Sequence, residues 1–487
     1  MTKPDIKNLG ELKANNYHSK SIKDELRANL LKNIKTDTDS FEGIYGYENS
    51  VIPQIERAIL SKHNINLLGL RGQAKTKIAR QMVNLLDEWI PVVEGSEVND
   101  DPFAPISHYA KTLIDEKGDD TPVTFLHRSN RFAEKLATPD VSVADLIGDI
   151  DPIKAANQKL SYSDERVLHF GMIPRANRSL FVINELPDLQ ARIQVSLFNI
   201  LQEGDVQIRG FQLRMLLDIQ FIFTANPEDY TNRGSIVTPL KDRLGSQILT
   251  HYPDDIKTAK TITQSEAKKQ EDLSVDIYMP EVAKDLLEQI SFEARDNEYV
   301  DVNSGVSARL SISAYENLMS TVERRTIANG DTKTQVRLTD FTGTIPAIIG
   351  KIELLYEGEQ SGADQVAMML LDEAIKSTFV KYFPDIKKLE KKDEKKPYDD
   401  IIAWFYEGNE IEILDNASDD EYKASLLKPE SLEKVLNEHQ PELDENDRFF
   451  FMELVLWSLT AYKKLSKQRF SNGYQFKDSL GSYIQGL

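Results

Sequence analysis

The feature that most constrains the fold is a glycine-rich segment, Gly69–Thr76, that lies between an apolar run and a helical pattern. It reads Gly-Leu-Arg-Gly-Gln-Ala-Lys-Thr and departs from the pattern G-x-x-x-x-G-K-[ST] at Ala74, where the pattern has glycine. The run before it, Ile65–Leu68, predicts a strand, and residues 77–83 after it predict a helix. This order predicts a phosphate-binding loop, although a chance glycine turn before a helix would give the same pattern.

The residues of this segment have predicted roles in binding a nucleotide. Gly69 and Gly72 are expected to take positive φ, which would turn successive backbone N–H groups toward an anion. Lys75 is expected to reach the β- and γ-phosphates, and Thr76 is expected to offer its hydroxyl to Mg²⁺. Ala74 is expected in the right-handed helical conformation, in which glycine is not required. The other loop residues are candidate nucleotide contacts: Arg71 and Gln73.

The bulk composition is typical of a soluble globular protein. At 487 residues the chain exceeds one compact core, so about two to four domains are expected. Its net charge of −20 disfavours non-specific binding to nucleic acids and to anionic membranes. The absence of cysteine excludes disulfides and thiolate metal sites and suits a cytoplasmic location. The first residues have no apolar core and the apolar stretch 449–457 is short, so we expect neither a signal peptide nor a membrane span.

The pattern of apolar residues divides the chain into four predicted regions. Residues 1–40 predict an N-terminal helical arm. Residues 41–255 alternate short apolar runs with amphipathic segments, which is typical of a parallel α/β sheet. Residues 256–385 predict a helical lid domain, and residues 386–487 predict a lysine-rich solvated linker and a C-terminal helical module. The candidate strands of the sheet are Asn66–Gly69, Val123–Leu126, Ser179–Ile183 and Ile219–Thr224.

Two of these strands end in polar residues that suit nucleotide hydrolysis. Asn184 and Glu185 follow one strand, where hydrolases usually carry an Asp-Glu pair that supports the Mg²⁺ shell and polarises the attacking water. Asn184 can accept a hydrogen bond from a metal-bound water but removes one negative charge, which puts Mg²⁺ affinity and turnover in question. Asn226 follows another strand and is expected to orient the water. Singly, each residue also fits a capped strand end or a turn, but their shared position at carboxyl ends favours a ligand site.

Five segments follow one another in a characteristic order. They are Phe41–Glu48, the Ala-Lys-Thr glycine loop, Gly171–Arg178, Leu197–Gly210 and Leu240–Leu244. In these segments the chain resembles the AAA+ ATPases of the MoxR and magnesium-chelatase I-subunit group, whose Walker A motif has a form with alanine. The resemblance covers about residues 41–320, and residues 138–149 within it are similar to a chelatase loop near the nucleotide.

The resemblance implies a P-loop NTPase of the AAA+ class, with a parallel α/β sheet domain, a helical lid and a C-terminal helical module. It implies a homo-oligomeric ring, usually a hexamer, with ATP and Mg²⁺ between subunits. Lys75 and Thr76 would then bind the phosphates and Mg²⁺, with Asn184 beside the metal. Glu185 would be the catalytic base and Asn226 the first sensor. The departures from the family pattern are Asn184, Leu244 in place of an aromatic residue, and the long segment 87–165.

The family also uses arginines that complete the site. Arg243 matches an arginine that a neighbouring subunit places near the γ-phosphate. Arg175, Arg178 and Arg233 compete for that role, and each of the four fits a surface salt bridge equally well. Arg309 resembles the second sensor at the start of a lid helix.

The predicted function is a mechanochemical ATPase that remodels or activates a partner protein. In this family the partner often carries a von Willebrand factor A domain, and because none is visible in this sequence the partner would be a separate chain. One alternative is the ATPase subunit of a magnesium-chelatase-like metal-insertion complex. Another is an ATP-binding scaffold with little or no hydrolysis, which Asn184 would permit. A DNA-binding activator is disfavoured by the acidic charge and the absence of a helix-turn-helix pattern, so a nucleic-acid partner is not expected.

Overall fold

The computed structural model describes residues 2–159, 165–206, 215–227, 235–268, 274–389 and 396–479. The chain divides into two compact units, residues 1–251 and residues 252–487. The first unit holds the N-terminal arm and the sheet domain. The second covers the regions that the sequence predicts as the lid and the C-terminal module, and these names are kept for residues 256–385 and 386–487.

The first unit alternates strands and helices. Its strands are β1 (Ile65–Leu68), β2 (Trp89–Val93), β3 (Val123–His127), β4 (Phe132–Leu136), β5 (Gly148–Ile150), β6 (Leu168–Phe170), β7 (Ser179–Asn184), β8 (Asp205–Val206), β9 (Met215–Leu216), β10 (Ile219–Ala225) and β11 (Ser246–Leu249). Its helices are α1 (Leu9–Ala14), α2 (Ile22–Lys35), α3 (Val51–Leu60), α4 (Lys75–Gln81), α5 (His108–Lys117), α6 (Val143–Leu146), α7 (Pro152–Gln158), α8 (Met172–Arg175), α9 (Ala191–Ser196), α10 (Phe198–Glu203) and α11 (Thr238–Arg243). Short 3₁₀ turns are Met82–Leu85, Gly118–Asp120, Arg128–Asn130, Glu165–Val167 and Leu186–Asp188.

Five strands of this unit form a parallel sheet in the order β11-β1-β10-β7-β4. Side chains alternate between the two faces along each strand. Leu180 and Val182 therefore join one core, to which helices α2, α3 and α4 contribute, while Phe181 and Ile183 join a second core on the opposite face. Burial on both faces is typical of parallel α/β sheets. The predicted fold class is confirmed.

The strand predictions are correct at the centre of this sheet and wrong at one edge. β1, β7 and β10 lie where the sequence predicts them. The predicted strand at Val123–Leu126 exists as β3, but it pairs antiparallel with β2 in a separate two-stranded sheet. The edge positions belong to β4 and β11, which are not among the strands that the sequence predicts. Strands β8 and β9 pair antiparallel, and residues 207–214 between them lie outside the described residues.

The N-terminal arm is fixed to the sheet domain by its second helix, α2. Ser21 accepts a hydrogen bond from the Asp24 N–H and so caps α2. The buried carboxylate of Glu25 then makes two hydrogen bonds, of 2.6 and 2.7 Å, with the guanidinium of Arg131, which precedes β4. The Ile22 N–H also donates to the Asp218 carboxylate at 2.7 Å. These contacts place the arm over the sheet domain.

The second unit is mostly helical. Its helices are α12 (Ile256–Glu266), α13 (Glu281–Asp296), α14 (Arg309–Asn329), α15 (Ile345–Ile349), α16 (Tyr356–Ser361), α17 (Ala363–Tyr382), α18 (Ile386–Leu389), α19 (Asp399–Tyr406), α20 (Asp419–Leu426), α21 (Glu430–His439) and α22 (Glu445–Ala461), with a 3₁₀ turn at Thr339–Thr344. Its strands are β12 (Asp276–Tyr278), β13 (Lys333–Gln335), β14 (Ile411–Leu414), β15 (Leu465–Phe470) and β16 (Gly473–Asp478).

The C-terminal module contains more than the predicted helices. Strands β14, β16 and β15 form an antiparallel sheet in that order. One continuous apolar core runs from α13 in the lid through α17 to α22 and β16. The lid and the module are therefore packed as one body. In the part of the chain that the structure describes, no helix combines the length and apolarity needed to cross a bilayer.

Candidate functional site

The glycine loop joins β1 to α4 and places Lys75 at the carboxyl edge of the sheet. The Lys75 side chain is only 8% exposed. Its ammonium donates to the carbonyl oxygens of Gly69 and Leu70, the latter at 2.8 Å, and to Asn226 Oδ1 at 2.7 Å. These acceptors hold the ammonium just beyond the carboxyl ends of β1 and β10. Lys75 is therefore placed as a phosphate-binding lysine would be.

The backbone of the loop corrects two expectations. Ala74 has φ 55° and ψ 14°, in the left-handed region, and not the right-handed helical conformation that was expected. Gly72 has the expected positive φ, at 71°, but Gly69 is not among the residues with positive φ. Gly69 is required for a different reason, because a Cβ there would lie 2.0 Å from Thr250 Oγ1.

Side chains from two other segments hold the loop in place. Thr250, which follows β11, donates to Gln73 Oε1 at 2.7 Å. The Tyr47 hydroxyl donates to the carbonyl oxygens of Gln73, at 3.1 Å, and of His251, at 2.7 Å. Gln73 is thus a buried support of the loop, whereas Arg71 in the same loop is exposed. Tyr47 and Thr250 were not identified as site residues from the sequence, because neither belongs to a motif that predicts phosphate binding.

Asn226 connects Lys75 to the predicted catalytic base. Its Oδ1 accepts from Lys75, and its Nδ2 donates to Glu185 Oε2 at 2.9 Å. Glu185 itself has φ 55°, in the left-handed region, and its backbone N–H donates to Thr224 Oγ1 at 3.2 Å. Three neighbouring strands, β1, β10 and β7, therefore bring these side chains together at their carboxyl ends, where ligands bind in parallel sheets.

Asn184 makes contacts that the sequence did not predict. Its Oδ1 accepts a hydrogen bond from Thr224 Oγ1 at 3.1 Å. Its Nδ2 donates to Glu134 on the edge strand β4. Glu134 in turn forms an ion pair of 2.7 Å with Arg80 on α4. Glu134 is not evident from the sequence because β4, Phe-Ala-Glu-Lys-Leu, does not have the continuous apolar pattern of a buried strand.

The residues of this site fit a nucleotide phosphate group with Mg²⁺. Lys75 would supply a positive charge to the β- and γ-phosphates, and Gly72 and Ala74 have the left-handed backbone that shapes the loop. Thr76, in the first turn of α4, carries a hydroxyl of the type that ligates Mg²⁺ in P-loops. The parallel sheet, with this loop between β1 and α4, defines a P-loop fold of the α/β class.

The candidate arginines have different surroundings. Arg243, at the end of α11, donates to Gln202 at 3.0 Å and to the Pro239 carbonyl at 2.7 Å, and its guanidinium lies 5.0 Å from the centre of the Phe198 ring. Arg178 does not fit the role of an arginine that reaches a neighbouring subunit's γ-phosphate, because it is 4% exposed and donates to the Pro91 carbonyl at 2.7 Å.

The other candidates are less constrained. Arg175 is exposed at the end of α8. Arg309 is an exposed first residue of α14 in the second unit. Arg233 lies outside the described residues. Among the described residues, Arg243 and Arg175 therefore remain candidates for the arginine that acts on a neighbouring subunit's γ-phosphate.

Sequence comparison finds relatives among the magnesium chelatases. The chain is 26% identical over 207 residues to the magnesium-chelatase 38 kDa subunit of Cereibacter sphaeroides, a match that covers 41% of this chain and 55% of the relative. The same subunit of Rhodobacter capsulatus is 26% identical over 222 residues, with 45% and 57% covered. The chain spans about half the length of the curated relatives it matches. No family model matches the chain.

Solved structures align more loosely. A complex of the BchI and BchD subunits of magnesium chelatase aligns with a TM-score of 0.34 and 19% identity, covering 66% of this chain and 98% of that chain. The sequence comparison therefore shows that the chain is similar to magnesium-chelatase 38 kDa subunits.

Proposed function

We propose that the protein binds ATP with Mg²⁺ and hydrolyses it within a homo-oligomeric ring, and that it uses the cycle to remodel or activate a separate partner protein. The observation that carries the proposal is the hydrogen-bonded series Lys75–Asn226–Glu185 at the ends of three adjacent strands. One amide touches both the phosphate-binding cation and the acidic residue. Such an arrangement suits a site in which charge on a phosphate and the position of a water must be set together.

Each residue of the series has a distinct part in the proposed reaction. When bound, ATP supplies the γ-phosphoryl group that is transferred to water. Lys75 stabilises negative charge on that group, and Thr76 contributes a metal ligand. Glu185 accepts a hydrogen bond from the attacking water and polarises it, while the Asn226 amide fixes the carboxylate in place. Arg243 is the first choice for the arginine from a neighbouring subunit.

The proposal is tested by separating binding from turnover. Lys75→Ala should abolish nucleotide binding, because the loop then lacks its buried cation. Glu185→Gln should keep binding and lose turnover, since an amide cannot act as a base. Lys111→Ala, at an exposed position on α5, is the matched control and should behave like the parent. Binding is measured with a fluorescent ATP analogue and turnover by phosphate release. Parent-like hydrolysis by Glu185→Gln would show that this residue is not the base.

The partner distinguishes two versions of this function. A protein with a von Willebrand factor A domain is the partner in the MoxR-like version. The similarity to magnesium-chelatase 38 kDa subunits favours, as a second candidate, the ATPase subunit of a complex that inserts Mg²⁺ into a porphyrin. Affinity purification with Glu185→Gln, in which a nucleotide-bound state persists, should capture the partner. A porphyrin-binding protein in the captured material would favour the chelatase version.

A nucleotide-gated scaffold gives a different result in the same assays. It would bind ATP tightly in the parent and release no phosphate, with or without partner. That outcome would retain the nucleotide site and overturn the motor. Location in the cytoplasm stays a prediction.

A further inference from the structure

The carboxylate of Glu134, which belongs to none of the sequence motifs, lies against Asn184, where the site departs from the usual Asp-Glu pair. Glu134 Oε1 accepts a hydrogen bond of 2.5 Å from Asn184 Nδ2. Because an ionised carboxylate has only acceptors, the nitrogen of the Asn184 amide has to face it. The other end of the amide then faces the Thr224 hydroxyl, which donates to Oδ1. Both ends of Asn184 are thus fixed by partners of the right kind.

The register of the sheet places Glu134 on the same side as the glycine loop. In the parallel pair β4–β7, Glu134 lies opposite Val182 and Leu136 lies opposite Asn184. Val182 and Asn184 are two residues apart, so their side chains share a face. That face packs in the core to which α4, the helix after the glycine loop, contributes. Glu134 therefore points to the side of the sheet from which the loop helix starts.

We propose that Glu134 supplies the negative charge that Asn184 lacks, so that the Asn184–Glu134 pair takes the place of the usual aspartate in supporting the water shell of Mg²⁺. In the usual pair an aspartate and a glutamate contribute two negative charges. Here Asn184 contributes none, and Glu134 and Glu185 contribute one each. The total of two negative charges is therefore retained, but one of them lies on the neighbouring strand β4. Glu134 is thus a positioning residue for the metal, and this inference rests on the proposed function.

The contacts explain why asparagine and not aspartate occupies position 184. An aspartate there would face Glu134 across a hydrogen-bond distance, and two carboxylates so close cannot both stay ionised. An amide instead donates a hydrogen bond to the carboxylate and holds it. The Glu134 side chain is 23% exposed, so it is accessible to water while it is held.

The Arg80 ion pair is the competing explanation for Glu134. Arg80 Nη2 lies 2.7 Å from Glu134 Oε2, but the Arg80 side chain is 64% exposed. Exposed ion pairs of this kind contribute little to stability. The Arg80 pair occupies Oε2 and leaves the contact of Oε1 with Asn184 intact. Arg80→Gln is therefore the matched control, because it breaks the same ion pair and keeps the carboxylate.

The inference is tested by the Mg²⁺ dependence of nucleotide binding in the full chain, with a fluorescent ADP analogue as the probe and Mn²⁺ binding by electron paramagnetic resonance as a second readout. Glu134→Gln should weaken the apparent affinity for the metal about 10- to 100-fold, the range for lost partners in the outer shell of a metal. Arg80→Gln should stay near the parent. The exchange Asn184→Asp with Glu134→Gln restores the charge and should recover the affinity.

The outcomes separate the inference from the proposed function. If the parent binds the nucleotide with Mg²⁺, Lys75→Ala does not, and Glu134→Gln keeps the parent's metal affinity, only the inference is overturned. The same holds if the double variant is folded by circular dichroism and stays as weak as Glu134→Gln. If the double variant does not fold, Glu134→Asp decides, since retained metal affinity supports a charge role and a loss equal to that of Glu134→Gln overturns it. A parent that does not bind the nucleotide overturns both proposals.

Discussion

Two residues of the candidate site that are not glycine, Ala74 and Glu185, both have φ near 55°. A side chain in the left-handed region costs roughly 1–2 kcal/mol relative to the right-handed one. Such residues persist where the surrounding structure holds them, and they cluster at functional sites. At Ala74 the surrounding structure is the loop that Gln73 and Lys75 fix on either side. The loop therefore holds Ala74 in the left-handed region against the preference of alanine for the right-handed one.

Ala74→Gly should therefore be tolerated better than an ordinary change of alanine to glycine in a helix. Relief of the left-handed strain offsets the larger entropy of glycine in the unfolded chain, so we expect stability within about 0.5 kcal/mol of the parent, or higher. Ala28→Gly, at an exposed position in α2, is the control and should cost about 1 kcal/mol. Urea unfolding measures both variants. An equal loss of unfolding free energy in Ala74→Gly and Ala28→Gly would contradict a left-handed backbone conformation at Ala74.

The sequence identifies the loop residues but not their backbone conformations. Spacing predicts that Lys75, Asn226 and Glu185 lie at strand ends, and the structure places them there. The conformation of Ala74 could not be predicted in this way, because a residue type only biases φ and tertiary contacts decide it. Glu134 could not be predicted either, because its contact with Asn184 depends on which strands are neighbours.

At the scale of elements, burial decides which strands the sequence reveals. β7 and β10 are central and buried along their whole lengths, so they have continuous apolar runs. β4 and β11 are edge strands with mixed burial, and their sequences contain charged or polar residues that hide them. The apolar residues of β3 predict a strand correctly, but they cannot specify that its partner is β2. Pairing is a long-range property that a local pattern does not contain.

The helix α2 depends on a buried ion pair for its place on the sheet domain. Glu25 and Arg131 are 3% and 1% exposed, respectively. Removing one partner leaves the other buried and unpaired, so Glu25→Leu should cost about 3–5 kcal/mol of unfolding free energy. The combined change with Arg131→Met should cost less than Glu25→Leu alone, because no unpaired charge is left. Thermal and urea unfolding, followed by circular dichroism, measure the difference.

An exposed pair in the same unit provides the control for this prediction. Lys13 and Asp119 form an ion pair with side chains that are 51% and 66% exposed. Asp119→Asn should therefore change stability by less than about 1 kcal/mol. A loss for Glu25→Leu as small as that for Asp119→Asn would show that the buried pair does not hold the helix.

At the scale of the whole molecule, a buried carboxylate joins the lid to the C-terminal module. Glu453 on α22 is fully buried and accepts hydrogen bonds from five donors. Two of these donors are the backbone N–H groups of Leu338 and Thr339 in the lid, at 2.8 and 2.9 Å. Two more are the Tyr422 hydroxyl and the Trp457 indole in the module. The module is therefore part of the structure that supports the lid.

Glu453→Gln should weaken this connection strongly. Glutamine has one acceptor oxygen in place of two, so some of the donors lose their partner at a cost of about 1–3 kcal/mol each. Glu442→Gln, at an exposed position before α22, is the control and should stay within about 0.5 kcal/mol of the parent. Proteolysis of the lid should become faster in Glu453→Gln alone. Equal stability of the two variants would show that the carboxylate does not join the two parts.

In the proposed ring, each active site needs residues from two subunits. In a variant with Arg243→Ala each subunit keeps its nucleotide loop but lacks the arginine that it would offer to its neighbour, and in Lys75→Ala the reverse holds. Each variant alone should hydrolyse no ATP. In a random one-to-one mixture about a quarter of the interfaces combine an intact loop with an intact arginine, so up to about a quarter of the parent's activity should return. Arg175→Ala mixed with Lys75→Ala tests the competing arginine under the same conditions. Recovery with Arg175→Ala, but not with Arg243→Ala, would transfer the role to α8, and no recovery in either mixture would contradict an arginine acting between subunits.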